Sequence, residues 1–70
     1  MKITKIKSIK DAEMIITTIE DEIVVRYPSG KLIIRMIDGK LYKNYYANMV
    51  EIDLNTATKR LYELRKYYNN

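Results

Sequence analysis

The alternation of apolar and polar residues in the middle of the chain predicts a β-hairpin at Asp38-Gly39. Both residues tolerate the positive φ that a type I′ turn requires, and the runs on either side alternate with a period of two. Pairing Ile37 with Lys40 across this turn collects most of the apolar side chains on one face of the pleated ribbon. The other face then carries charged and aromatic side chains.

Residues 27–31, Tyr-Pro-Ser-Gly-Lys, predict a second turn for which two registers compete. Proline presets φ at the first corner and glycine tolerates the left-handed conformation, which favours a bulged turn with Tyr27 opposite Lys31. Burial favours Val25 opposite Leu32 instead, because that register continues the apolar face of the neighbouring hairpin. A slip of one residue would move every side chain to the other face. We predict the register that burial favours.

The segments before residue 22 give weaker patterns. Residues 14–19 are interpreted as a further strand, so that the antiparallel sheet covers residues 14–46. In residues 1–10, isoleucine recurs at every third position, which matches neither a clean strand nor a clean helix. This segment is predicted to be either a lysine-rich edge strand, which would discourage aggregation, or a flexible basic arm.

The C-terminal segment predicts an amphipathic helix over residues 53–68. Its apolar residues recur at steps of three and four, which places them on one stripe of a helical cylinder. Asp53 stands where an N-cap acceptor belongs, and basic residues occupy the later turns. The stripe consists of Leu54, Ala57, Leu61, Leu64 and Tyr68. The sheet face on which it is expected to dock consists of Ile23, Val25, Leu32, Ile34, Met36, Leu41 and Tyr45.

These elements predict a single α+β domain spanning residues 1–70. The architecture is a small antiparallel β-meander of four, possibly five, strands with one C-terminal α-helix packed on one face. A chain this short buries only about 60% of its unfolded surface, so one thin core of ~3–5 kcal/mol must hold it together.

The residue types that are missing argue against an enzyme. The chain has no cysteine and no histidine, which excludes thiolate and histidine metal sites and the usual nucleophilic pairs. The sole acidic cluster, residues 20–22, lacks the spacing of a calcium loop and is typical of a solvated turn. The two glycines lie in turns rather than in a phosphate-cradling loop. We therefore expect no catalytic residue, metal, cofactor or small-molecule substrate.

Composition bears on location and source. No signal peptide is evident, and the longest purely apolar run is three residues, so we expect a cytoplasmic protein without a membrane span. Isoleucine, lysine, asparagine and tyrosine make 32 of the 70 residues. Such usage is typical of AT-rich coding and suggests a phage, a plasmid or another mobile element as the source.

The distribution of charge suggests that the sheet face opposite the helix is a contact surface. The net charge is +4, with basic segments at both ends of the chain and an acidic-leaning middle. Cations interleaved with tyrosines bind phosphates, base edges and unpaired bases, so a small nucleic-acid-binding, most simply DNA-binding, module is the leading interpretation. The expected contact residues are Arg26, Lys31, Arg35, Lys40, Tyr42 and Tyr46. Secondary contacts are expected from Lys2, Lys5, Lys7, Lys59, Arg60 and Lys66.

Two other interpretations use the same residues. In the first, the charged residues on the solvent-exposed face of the sheet serve only to keep the protein soluble. Against that stand three aliphatic residues on the face, Val24, Ile33 and Ile37, which a monomer would leave in water. They suggest a protein–protein interaction module, either a homodimer or an inhibitor or adaptor of another protein.

Overall fold

Within residues 6–68, four antiparallel strands follow one another across a single sheet in chain order, and two α-helices flank them in the chain. The computed structural model describes residues 6–68. The elements are α1 (Ile9–Thr17), β1 (Glu22–Tyr27), β2 (Gly30–Ile37), β3 (Lys40–Tyr45), β4 (Asn48–Ile52), α2 (Leu54–Glu63) and a short 3-10 helix (Arg65–Tyr67). The predicted α+β meander with a C-terminal helix is confirmed, with one additional helix at its start.

The Asp38-Gly39 turn has the predicted conformation. Both residues have positive φ, 53° and 79°, and Ile37 pairs with Lys40 across the turn. A type I′ turn matches the right-handed twist of its strands, which is why these residue types select it. The predicted register of the second hairpin is confirmed as well.

In that hairpin, Val25 lies opposite Leu32 and Tyr27 lies opposite Gly30. The bulged alternative would have turned Val25 toward solvent, whereas here its side chain is 1% exposed. Burial of apolar surface therefore decided the register, because one face of this sheet lies against the helices.

The core lies between the sheet and the two helices. We call the sheet face that the helices cover the inner face, and the opposite one the outer face. The predicted stripe of α2 docks on the inner face, with Ala57 and Leu61 fully buried and Leu64 9% exposed. The buried apolar residues are Ile6, Ala12, Ile15, Ile16, Ile23, Val25, Leu32, Ile34, Leu41, Ala57, Leu61 and Leu64. Tyr45, predicted to belong to this core, is instead 56% exposed.

The predicted strand over residues 14–19 is wrong. Residues 14–17 belong to α1, Thr18 is its C-cap and Ile19 follows it. The N-terminus of α1 is closed by a capping box: Ser8 accepts from the Asp11 backbone, and the Asp11 carboxylate accepts from the Ser8 backbone. Ala12, Ile15 and Ile16 then form one buried face. A helix fits because apolar positions recur here at three and four residues, which the run of isoleucine and threonine obscured.

Other predicted boundaries also change. The sheet covers residues 22–52 rather than 14–46, because β4 supplies the fourth strand. Lys7 and Ser8 lead into α1, so this part of the N-terminal segment is no strand; residues 1–5 lie outside the described residues. The helix predicted to end at residue 68 ends at Glu63 and is followed by the 3-10 helix. No helix within residues 6–68 is long and apolar enough to cross a membrane.

Asp53 caps α2 as predicted. Its carboxylate accepts from the Thr56 backbone N–H at 2.9 Å, and the Thr56 side chain and backbone lower the pKa of Asp53 below its ordinary value of 3.8. A lowered pKa means that the charged form stabilises the fold. That contribution is present above pH 3.8 and is lost as the pH falls through the folded pKa.

Asp53→Asn isolates this effect, because asparagine is an equally good N-cap and does not titrate. We expect the variant to unfold with a shallower dependence on pH in the acid range, measured by circular dichroism melts from neutral pH downward. Asp38→Asn, at the exposed hairpin turn, is the matched control. Parallel acid profiles for wild type and Asp53→Asn would contradict the prediction.

Candidate functional site

Cations and tyrosines gather at one end of the sheet. This end contains the turn that joins β1 to β2 and the turn that joins β3 to β4. The C-terminal half of α2 reaches the same end, where Arg60 contacts Tyr27. We call this the basic end. Its cations are Arg26, Lys31, Lys43, Arg60 and Lys66. Five carboxylates lie at the opposite end of the sheet, which contains the Asp38-Gly39 turn and the start of α2. They are Asp21, Glu22, Asp38, Glu51 and Asp53.

Two of these cations face each other directly. Arg26 pairs with Lys31 across β1 and β2, and both side chains are exposed on the outer face. Like charges directly opposite in an antiparallel pair are destabilising. Among residues 6–68 neither takes part in an ion pair within 4 Å. The outer corner of the basic end therefore carries positive charge that is not neutralised within the described chain.

The sheet splits beside this corner. The β2–β3 ladder ends at the pair Ile34 and Lys43, and past that point the side chain of Asn44 replaces the backbone pairing. Its Oδ1 accepts from the Ile33 N–H at 3.0 Å, and its Nδ2 donates to the Lys31 carbonyl at 2.9 Å. The Asn44 carbonyl accepts instead from Lys43 Nζ at 2.8 Å. One amide side chain thus holds the strands apart without leaving their polar groups unpaired.

A notch with a volume of about 350 Å³ opens where the strands diverge. It contains three cations and three tyrosines, and no carboxylate is among the residues that line it. We define the notch by its lining residues, which are Tyr27, Ser29, Gly30, Lys31, Leu32, Lys43, Asn44, Tyr45, Tyr46 and Arg60. Such a set suits a ligand that carries both negative charge and a flat ring.

One wall of the notch is formed by Tyr27 and Arg60, whose side chains contact each other. Arg60 Nη2 donates to the Tyr27 hydroxyl at 3.4 Å, and the guanidinium carbon lies 5.8 Å from the Tyr27 ring centroid. Tyr67 packs against the other side of Tyr27 with 6.1 Å between ring centroids. Arg60 also contacts Glu63 at 3.2 Å. Because these groups are positioned before any ligand arrives, binding costs little side-chain entropy.

The β3–β4 turn forms the other wall and contains the most exposed aromatic ring. Tyr46 is 89% exposed, and its ring meets the Tyr45 ring edge-on at 4.8 Å between centroids. Its φ is 55°, in the left-handed region that costs a residue other than glycine roughly 1–2 kcal/mol. A tyrosine at such a turn position is less favourable for folding than glycine. Strain of this kind clusters at functional sites.

The structure separates the six predicted contact residues into two groups. Arg26, Lys31 and Tyr46 lie together at the basic end. Arg35 and Lys40 lie toward the acidic end, and Tyr42 is directly opposite Arg35.

Arg35 already has partners within the protein. Its guanidinium lies 3.5 Å from Glu22 and 3.9 Å from Asp21. Tyr42, its neighbour across the strands, is also paired with Glu51 of β4. Two carboxylates thus flank this row of the outer face, which weakens its attraction for phosphate.

The secondary contacts are likewise spread over the molecule. Lys7 precedes α1, Lys59 and Arg60 lie on α2, and Lys66 lies in the 3-10 helix with its Nζ 5.1 Å from the Tyr67 ring centroid. Of these, Arg60 and Lys66 belong to the basic end. Lys2 and Lys5 lie outside the described residues.

Three notch residues escaped the sequence interpretation: Tyr27, Lys43 and Tyr45. The alternation of side chains along the strands places all three on the inner face. Of them only Tyr45 was predicted to be covered by the helix, but α2 leaves this corner open and Tyr45 is 56% exposed. A weak signal was present in the sequence. Lysine is rarely buried, so Lys43 on the inner face already indicates that the helices do not cover this part of the sheet.

The geometry contains no metal cluster: within residues 6–68, no three histidine, cysteine, aspartate or glutamate residues are grouped so as to hold an ion. Searches for similar proteins found no matching family model, no matching curated protein and no matching solved structure.

Proposed function

We propose that the protein is a non-catalytic nucleic-acid-binding module whose contact surface is the basic end. The observation that carries this proposal is an uneven distribution of charge. Arg26, Lys31 and Lys43 lie with three tyrosines at one end of the sheet, where Glu63 pairs with Arg60, and most carboxylates lie at the other end beside Arg35 and Lys40. Phosphate groups are the natural counterpart of such a surface, and electrostatic contacts with them supply most of the affinity of such complexes.

The cross-strand pair of Arg26 and Lys31 supports the proposal energetically. Folding places these like charges side by side at a cost, and a phosphate between them would convert the repulsion into two attractive contacts. Arg35, in contrast, contacts Glu22 and Asp21. The proposed contact surface is therefore the basic end rather than the whole outer face.

A matched pair of charge variants tests this assignment. We expect Arg26→Gln with Lys31→Gln to weaken binding to fluorescein-labelled DNA about tenfold and to reduce the salt slope by about two, because two phosphate contacts are removed. The measurement is fluorescence anisotropy with single-stranded and duplex DNA at several salt concentrations. The same double variant should unfold at an equal or higher temperature, since it relieves a like-charge pair.

Lys10→Gln with Lys40→Gln is the control, because it removes the same charge elsewhere. Lys10 lines a groove with Leu54 and Asn55 at the start of α2, and Lys40 follows the Asp38-Gly39 turn. We expect this control to bind almost as the wild type does. Equal losses in both double variants would show that only net charge matters and would contradict the assignment.

The competing function is a protein contact through the apolar centre of the outer face. The observation favouring it is that Val24 and Ile33, paired across β1 and β2, are only half-buried, while Ile37 is 43% exposed. Sedimentation equilibrium of the same protein decides between the two. Salt-insensitive dimerisation without measurable DNA binding would overturn the nucleic-acid proposal in favour of this one.

A further inference from the structure

We infer that the notch at the basic end accepts one unpaired nucleotide, so that the protein prefers single-stranded to duplex nucleic acid. This inference rests on the proposed function and narrows its substrate class. It assigns the phosphate to the cations of the notch and the base to the tyrosines of the β3–β4 turn.

The notch combines the two chemistries that a nucleotide requires. Lys31, Lys43 and Arg60 are among the residues around this open notch of about 350 Å³, a volume at the lower end of the range for small-ligand sites. Leu32 and Ser29 also line the notch. No carboxylate is among the residues that line the notch, and the nearby Glu63 is paired with Arg60 at 3.2 Å, so Lys31 and Lys43 are the cations without a carboxylate partner among residues 6–68.

Tyr45 and Tyr46 supply the surface on which a base can stack. Their rings contact edge-on at 4.8 Å, and with Tyr46 89% exposed its ring presents a face to solvent. Stacking of a base on an aromatic side chain is tolerant of sequence and contributes substantially to single-strand binding. The positive φ of Tyr46 is an independent indication, since a glycine would occupy that turn position with less strain.

Duplex nucleic acid does not meet this requirement. Its bases are already stacked on each other, so that only its phosphates reach the cations, whereas an unpaired base enters a pocket after leaving the stack. The two forms therefore share the electrostatic contacts, including those of Arg26, and differ in access to the notch. A preference for single strands is the measurable consequence.

The test uses the full chain and end-labelled oligonucleotides of about ten nucleotides, a length within the range of known single-strand sites. Oligodeoxyuridylate, oligouridylate and a duplex DNA of equal length are compared by anisotropy. We expect the single strands to bind about tenfold more tightly than the duplex. Comparable binding of the two single strands would indicate that the notch does not read the 2′-hydroxyl, and a large difference that it does; both results support the inference.

Two tyrosine variants locate the stacking contact. Tyr46→Gly should weaken single-strand binding about tenfold and leave duplex binding nearly unchanged. Its thermal unfolding should not fall, because glycine suits a φ of 55°. Tyr42→Leu is the matched control, since Tyr42 lies on the outer face and outside the notch.

The outcomes separate this inference from the function on which it rests. Equal affinity for single strand and duplex, or a loss with Tyr42→Leu but not with Tyr46→Gly, would overturn the notch assignment while leaving nucleic-acid binding intact. Absence of salt-dependent binding to all three oligonucleotides would overturn both.

Discussion

Ile16→Ala is expected to leave the protein largely unfolded a little above room temperature. Ile16 is fully buried in α1, and truncation of a buried isoleucine to alanine typically costs about 2–5 kcal/mol. A core of this size supplies only ~3–5 kcal/mol in total. We expect the midpoint of thermal unfolding, followed by circular dichroism, to fall by at least about 10 °C.

Met14→Ala is the control, and it also tests the helix itself. In a helix Met14 lies away from Ile16, and here its side chain is 50% exposed, so its truncation should change the stability by less than about 0.5 kcal/mol. In a strand, residues two apart share a face, and both substitutions would have similar effects. Similar losses in the two variants would contradict the helical assignment of this segment.

Asn44→Ala is expected to cost about 1–2 kcal/mol, because it removes one part-buried and one exposed hydrogen bond, each of which contributes roughly 0.5–1.5 kcal/mol. The Asn44 amide satisfies the Ile33 N–H and the Lys31 carbonyl where β3 has left the ladder. Alanine reaches neither group. The loss should appear as a lower midpoint in urea with little change in slope, because the folded core is otherwise the same.

Asn48→Ala is the matched control at the same end of the sheet. Its side chain is exposed at the start of β4, and we expect a change below about 0.5 kcal/mol. If Asn44→Ala were as mild as this control, the amide would not be what supports the strand divergence.

Much of the sheet was predictable because its turns are specified by local chemistry. Asp38 and Gly39 tolerate positive φ better than other residues, and that preference acts whatever the rest of the chain does. The register at Tyr27 was predictable for a different reason. Its local turn preference conflicted with burial, and burial of Val25 and Leu32 contributes more free energy than one turn type over another.

The first helix and the last strand were missed because their local signals are weak. The capping box of α1 uses Asp11 at the position where glutamate or glutamine is usual, and the following isoleucines and threonines favour strands in isolation. β4 is only five residues long and follows a turn without glycine. Pairing with β3 stabilises it, and that contact is not visible in the segment itself.

The candidate site depended even more on the assembled structure. The alternation of side chains along β3 correctly assigned Lys43 and Tyr45 to the inner face. It could not show where α2 ends above that face, and therefore which inner-face residues stay exposed. The predicted contact residues Arg35 and Lys40 share the outer face with Arg26, yet Lys40 lies toward the other end of the sheet and Arg35 contacts Asp21 and Glu22.

The sequence alone determined the two hairpin registers, the apolar face of the sheet and the capped C-terminal helix. The Asp38-Gly39 register, the apolar face and the capped helix follow from turn conformation, side-chain period and N-cap chemistry acting within a few residues, whereas the register at Tyr27 follows from continuing the apolar face against the local turn preference. Only the tertiary structure decided that α1 is a helix, that charge separates toward the two ends of the sheet, and that Asn44 opens a notch between β2 and β3. These features arise from contacts between residues distant in the chain, whose free energy outweighs the local preferences from which a sequence is interpreted.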